Sequence, residues 1–213
     1  MAALVEKTHR IVAIPLQVDI CQISAGGVRE KMDEWCGQAR SNVMAAVQQE
    51  LDKRPMLNIK NFNEMLLSQD QRANLDQTRA LFDAVSLSIV MHTYGGGGQV
   101  VFQEKVEKFE YSLGTEVREL SEAVDAMLFV QCYEHIPTTG KKAVETGKLF
   151  LGVLTGVIMP VDVGFTHLSM ALVNAETGTI IWYNQYSTGG SAGLRNPIKA
   201  TAIVQELFKG FPL

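Results

Sequence analysis

Along this chain the spacing of apolar residues switches repeatedly between the strand period of two and the helix period of 3.6. That switching confines it to folds in which helices pack on a sheet. Residues 10–20 are rich in branched aliphatics and read as a buried strand, kinked or at an edge where Pro15 removes a ladder donor. Residues 56–62, 126–136, 164–173 and 179–186 read as further strands, with Met127-Leu128-Phe129-Val130 as the strongest core run. Residues 28–53 predict a long helix with Val28, Met32, Trp35, Ala39, Val43, Ala46, Val47 and Leu51 on one stripe. Residues 70–93, 115–124 and 196–209 predict three more, the last capped by Asn196 with Pro197 in its first turn. Residues 99–114 read as irregular, and 143–159 fit a helix or a hairpin equally. The pentapeptide Asn174-Ala175-Glu176-Thr177-Gly178 joins the last two strands as a turn, with Gly178 at a positive φ. Gly178→Ala is therefore expected to cost on the order of 1 kcal/mol. With no repeat and no low-complexity linker, residues 1–213 read as one α/β domain. The expected fold is a two- or three-layer sandwich with a mixed sheet of about five strands covered by long helices.

Composition removes several function classes. Nineteen basic against 23 acidic residues leave a net charge of −4, without the basic excess that a nucleic-acid binder needs. Three cysteines with no Cys-x-x-Cys pair exclude a disulfide scaffold and a zinc ribbon. His9, His92, His135 and His167 are scattered, and Cys132 and His135 fall on opposite faces of a strand, so no metal or cofactor is expected. Cys21, Cys36 and Cys132 read as small buried apolar residues, and Trp35 and Trp182 as core. Gly189-Gly190-Ser191-Ala192-Gly193 has the form of a nucleophile elbow. However, the following helix starts at Asn196-Pro197, and neither Asp nor His follows Ser191. The segment reads as a flexible turn, and Ser191→Ala is expected to change neither stability nor function. Gly95–Gly98 lacks the Gly-Lys-Ser/Thr of a phosphate loop. No enzymatic activity is expected.

The opening residues have no apolar leader, which fits a cytoplasmic protein or a secreted one without its signal peptide. The longest uncharged run, Leu149 to Val161, is too short for a membrane-spanning helix of roughly twenty residues. It is nonetheless apolar all round. Phe150, Leu151, Val153, Leu154, Val157, Ile158 and Met159 either fill the core or form a docking patch for a protein partner, a second copy or a membrane surface. Leu154→Asp separates the two outcomes, because a buried charge unfolds the domain and an exposed one does not.

Leu172-Val173-Asn174-Ala175-Glu176-Thr177-Gly178-Thr179-Ile180-Ile181-Trp182 resembles the strand-turn-strand of bacterial envelope lipoproteins, where Asp usually stands at the place of Asn174. Phe109–Gly114, Ala123–Val130 and the apolar run Phe150–Met159 resemble the same uncharacterised group. The broader likeness is to the periplasmic domain of the curli-secretion lipoprotein CsgG and the amino-terminal domain of TolB. The resemblance implies an α/β sandwich in the periplasm or on the inner face of the outer membrane, with a lipid anchor in the unprocessed form. It also implies a non-catalytic role in partner docking or in assembly of an envelope structure. The alternative is a soluble, cytoplasmic protein that binds a small molecule or carries an unrecognised active site.

Overall fold

A computed structural model of the chain describes residues 8–60, 62–94, 103–120, 123–155 and 164–213. The elements in order are β1 Arg10–Ala13, β2 Gln17–Ile23, β3 Arg29–Lys31, α1 Asp33–Asp52, β4 Asn58–Lys60, α2 Gln69–Ile89, α3 Gln103–Lys108, β5 Ala126–Pro137, α4 Thr139–Thr155, β6 Phe165–Asn174, β7 Ile180–Gly189 and α5 Pro197–Leu207. Single 3-10 turns lie at Glu64–Leu66 and Thr115–Leu120, and α2 runs on into a π turn at Val90–Tyr94. The fold is a mixed α/β sandwich. Seven strands form its sheet among the described residues.

β5 is the spine. β6 pairs antiparallel along nearly its whole length, and β7 pairs antiparallel with β6. β1 and β2 both pair parallel with β5, along its other edge. The strand expected over 10–20 is thus two strands in line, broken at Pro15. Ala13 is opposite Leu128 and Gln17 opposite Gln131, so four steps on one strand match three on the other. The extra residue is a bulge, placed where proline has no N–H to offer the ladder. It inverts the side-chain parity: Ile11 faces the same way as Leu16, Val18 and Ile20, whereas Val12 and Ile14 face the opposite core.

Two cores follow. On one face α1 and α5 pack Ala39, Val43, Val47, Ala200 and Val204 against Leu128, Val130, Leu168 and Met170. On the other, α2 packs Leu75, Phe82 and Ile89 against Met127, Phe129, Ala171 and Val173, with the Phe82 and Phe129 rings 5.4 Å apart. The sandwich therefore has three layers. A capping box of Ser68 and Gln71 starts α2, and the Asn196 side chain accepts from the N–H groups of Ile198 and Lys199 at the start of α5.

Three expectations are corrected and one open choice is settled. The helix expected from Val28 begins at Asp33, because the turn through Gly27, at φ +81°, folds Arg29–Lys31 back onto β2 as an antiparallel strand and leaves Val28 exposed. The helix expected over 115–124 is a 3-10 turn ending at Leu120. The segment read as irregular contains the short helix α3. The choice over 143–159 falls to helix as far as Thr155, and Gly95–Gly98 lies outside the described residues.

Candidate functional site

The face of the sheet under α2 changes character along its strands. Beyond the apolar rows of Met127 with Val173 and Phe129 with Ala171 come two polar rows. Gln131, Ser169 and Gln185 lie side by side across β5, β6 and β7, and Tyr133, His167 and Ser187 form the next row. Period-two alternation continues unbroken, so these side chains point the same way as the apolar ones before them.

Here α2 and the sheet enclose an open cleft of about 830 Å³, within the usual range of ligand pockets, roughly 300–1,000 Å³. α2 contributes Ala80, Asp83, Ala84, Leu87 and Val90, and the sheet contributes Gln131, Tyr133, Phe165, Thr166, His167 and the end of β7 from Ser187 to Gly189. Among the described residues no Lys or Arg lines it. Asp83 is the carboxylate among its described residues and is half-buried, which raises its pKa above the usual carboxylate value against the opposing effect of a hydrogen bond with the Tyr133 hydroxyl. Burial and the nearby Asp83 both push the Tyr133 phenol up. Burial lowers the pKa of His167, whose Nδ1 lies 2.7 Å from Ser187 Oγ; that hydroxyl also meets Gln185 Oε1 at 2.9 Å. Deeper under α2, burial raises the Tyr183 phenol to about 12, beside the hydroxyls of Ser86 and Ser169. Asp83 Oδ1 and Gln131 Oε1 are buried without a hydrogen-bond donor among the described residues, and Gln131 as a whole is 3% exposed.

A smaller polar cleft adjoins this one at Ala80 and Asp83. Its groups serve the fold. Arg79 of α2 ion-pairs with Glu64 and donates to Pro15 O at 3.1 Å, while Arg40 of α1 donates to Leu16 O at 3.1 Å. The carbonyls at the bulge are thus satisfied from both helical layers.

The residues singled out from sequence fall elsewhere. Leu151 lies on α4, exposed, as do Leu149 and Val144. Phe150, Val153 and Leu154 belong to the backbone of the same helix, and Val157, Ile158 and Met159 lie outside the described residues. The inward side of α4 carries Lys141 and Glu145, 2.9 Å apart, with Lys148 on the same carboxylate. The helix therefore turns an ion cluster toward the protein and leucines toward solvent.

Ser191 is not idle. Its hydroxyl donates to Glu134 Oε1 at 2.7 Å, and the same oxygen accepts from Gly193 N at 3.0 Å and Thr166 Oγ1 at 3.2 Å. Glu134 is fully buried. Ser191→Ala removes a donor from a buried carboxylate, so a loss of about 1–3 kcal/mol in denaturant unfolding replaces the expected neutrality. Among the described residues no group of three or more His, Cys, Asp or Glu side chains could hold a metal ion. Cys36 and Cys132 are buried in the core, Trp182 stacks edge-on with Phe211, and Trp35 lies under the Arg195 guanidinium.

Sequence reasoning passed over the cleft. The one signal for it was the polar alternation Gln131, Tyr133, His135 continuing a core strand, repeated in His167 and Ser169 and again in Gln185 and Ser187.

No protein-family model matches the chain, and no curated protein matches it. Among solved structures it is similar to the lipoprotein GNA1162 from Neisseria meningitidis, at 10% identity over 92% of this chain and 94% of that one, with a TM-score of 0.31. It is also similar to the hypothetical protein CT253 from Chlamydia trachomatis, at 8% identity over 95% and 92% of the two chains, with a TM-score of 0.39.

Proposed function

We propose that this chain is a non-catalytic protein of the bacterial cell envelope, of the lipoprotein type related to the periplasmic domain of CsgG and the amino-terminal domain of TolB. It acts by holding a partner molecule and supporting assembly. The cleft between α2 and the polar rows of β5, β6 and β7 carries the reading: it is large, open and walled mainly by apolar groups, as binding sites are. The outward side of α4 is a second contact surface, for another copy of the chain. This side exposes Val144, Leu149 and Leu151 together with Lys142, so an apolar strip carrying a positive charge meets the surface of a chain whose net charge is −4.

The test is to recover the protein from fractionated cells and weigh it under native conditions. Recovery in the envelope fraction with a bound molecule, lost in Ala84→Trp, is expected. Recovery in the cytosol, or empty from the envelope, overturns the proposal.

One observation favours a second reading, a hydrolase: the 2.7 Å contact of Ser187 Oγ with His167 Nδ1 inside the cleft. Covalent labelling of Ser187 by a fluorophosphonate establishes that reading, and the binding proposal expects none.

A further inference from the structure

Resting on the proposal that the cleft holds a molecule, we propose its chemical class: a long-chain amphiphile with a cationic, hydrogen-bond-donating head, an alkylammonium. The head sits on Asp83 Oδ1 and Gln131 Oε1, and the chain lies along Ala80, Ala84, Leu87 and Val90.

The polarity of the site selects the head. Of the described residues that line the cleft, Asp83 and Gln131 each have a buried side-chain oxygen without a donor; both oxygens are acceptors, and one belongs to a carboxylate. Gln131 is held in place by its strand and shielded from solvent, so its oxygen is presented at a fixed point. A buried acceptor left without a donor costs free energy that a guest with N–H groups recovers. A desolvated carboxylate is stabilised most by a cation, and it opposes an anionic head. Among the described residues no cation lines this cleft, and those of the adjoining cleft include Arg40, which donates to Leu16 O. Arg79, one turn before Asp83 on α2, is engaged by Glu64 and Pro15 O. Burial raises the pKa of Asp83, and a cation beside it would favour the ionised form. Beyond the head the α2 wall offers only methyl and methylene groups, which suit an alkyl chain and give it no further hydrogen bond.

Calorimetric titration of the full chain at pH 7 with dodecylammonium, dodecanol and dodecanoate, each below its micelle concentration, tests the assignment. Dodecylammonium is expected to bind roughly tenfold more tightly than dodecanol, and dodecanoate most weakly. Asp83→Asn keeps the shape and loses the charge. It should weaken dodecylammonium roughly tenfold and leave dodecanol within about threefold. Retained dodecanol binding also reports that the variant is folded. Ala84→Trp, which fills the cleft from its rim, should abolish all three. Equal or tighter binding of dodecanoate, or an Asp83→Asn variant that binds dodecylammonium as before, overturns the alkylammonium assignment and leaves the binding reading standing. If no amphiphile binds to a normally folded protein, the assignment falls as well. The binding reading is then judged separately, by the native mass of the protein from the envelope.

Discussion

Two residues tie distant parts of the chain together with unusual economy. Gly178 has φ +69°, and a Cβ on it would stand 1.9 Å from the carbonyl oxygen of Gly114. The segment just before the 3-10 turn at Thr115–Leu120 is laced to this hairpin, since Leu113 N donates to Gly178 O and Ile180 N to Tyr111 O. Gly178→Ala therefore meets a backbone clash as well as the left-handed conformation, and the expected loss rises from the roughly 1 kcal/mol of the turn alone to about 3 kcal/mol. The midpoint of guanidinium unfolding measures it, and a neutral result would contradict this packing. Asp125 gathers the N–H groups of His9 and Arg10 on one oxygen and the Arg10 guanidinium on the other. The Arg10 hydrogen bond comes first among the causes that hold its carboxyl at about 2, below the usual 3.8. Because the folded value is depressed, the contribution is present above about pH 4 and fades as pH falls toward 2. Asp125→Asn should flatten the acid limb of the stability curve in that window and leave its slope near neutrality unchanged. Both residues carry part of their role in plain view. The Asn174–Gly178 turn was legible because its chemistry is local. The Gly114 contact was not, because it joins segments more than sixty positions apart.

Elements were easier to recognise than to place. Strand and helix periods located β5, β6, β7, α2 and α5 to within a few residues, since each carries its own alternation or capping signal. The bulge at Pro15 shows where that reasoning stops. Proline announced an interruption, but the inversion of faces follows from pairing with β5, more than a hundred residues away. Once formed, the bulge leaves carbonyls that need donors, and Arg79 and Arg40 provide them from opposite layers. Arg79→Met keeps the aliphatic stem and removes the donor. It should lower unfolding free energy by about 1–3 kcal/mol, and Lys at the same position should recover part of it by restoring the charge facing Glu64. A Met variant as stable as the parent would mean that Pro15 O finds water instead.

At the scale of the whole molecule, two surfaces among the described residues bear on the binding proposal. One is the cleft where α2 stands away from the polar end of the sheet. The other is the outer side of α4, where the residues facing solvent include Val144, Leu149 and Leu151. Leu151 is half exposed, so Leu151→Asp should change stability by no more than about 0.5 kcal/mol. It should also abolish self-association in sedimentation velocity if this face meets a second copy. Unchanged sedimentation with unchanged melting would remove α4 from the docking proposal. Leu154, the substitution suggested by sequence, has its side chain outside the described residues, and Leu151 takes its place because its exposure is established.

By itself the amino-acid sequence determined the class of fold, the identity of the main elements, the hairpin turn and the start of the last helix. Each of these is decided by neighbours within one or two turns, through period, capping and φ preference. Tertiary structure alone decided which face each strand shows, how the bulge is satisfied, why Ser191 is bonded to Glu134 and where the cleft opens. These depend on register between strands far apart in the chain. A polar residue on a strand reads the same locally whether it meets solvent, a helix or a cavity. Gln131, Tyr133, His167 and Ser187 became neighbours only when β5, β6 and β7 were aligned, and α2 turned that alignment into a cleft by covering only part of it.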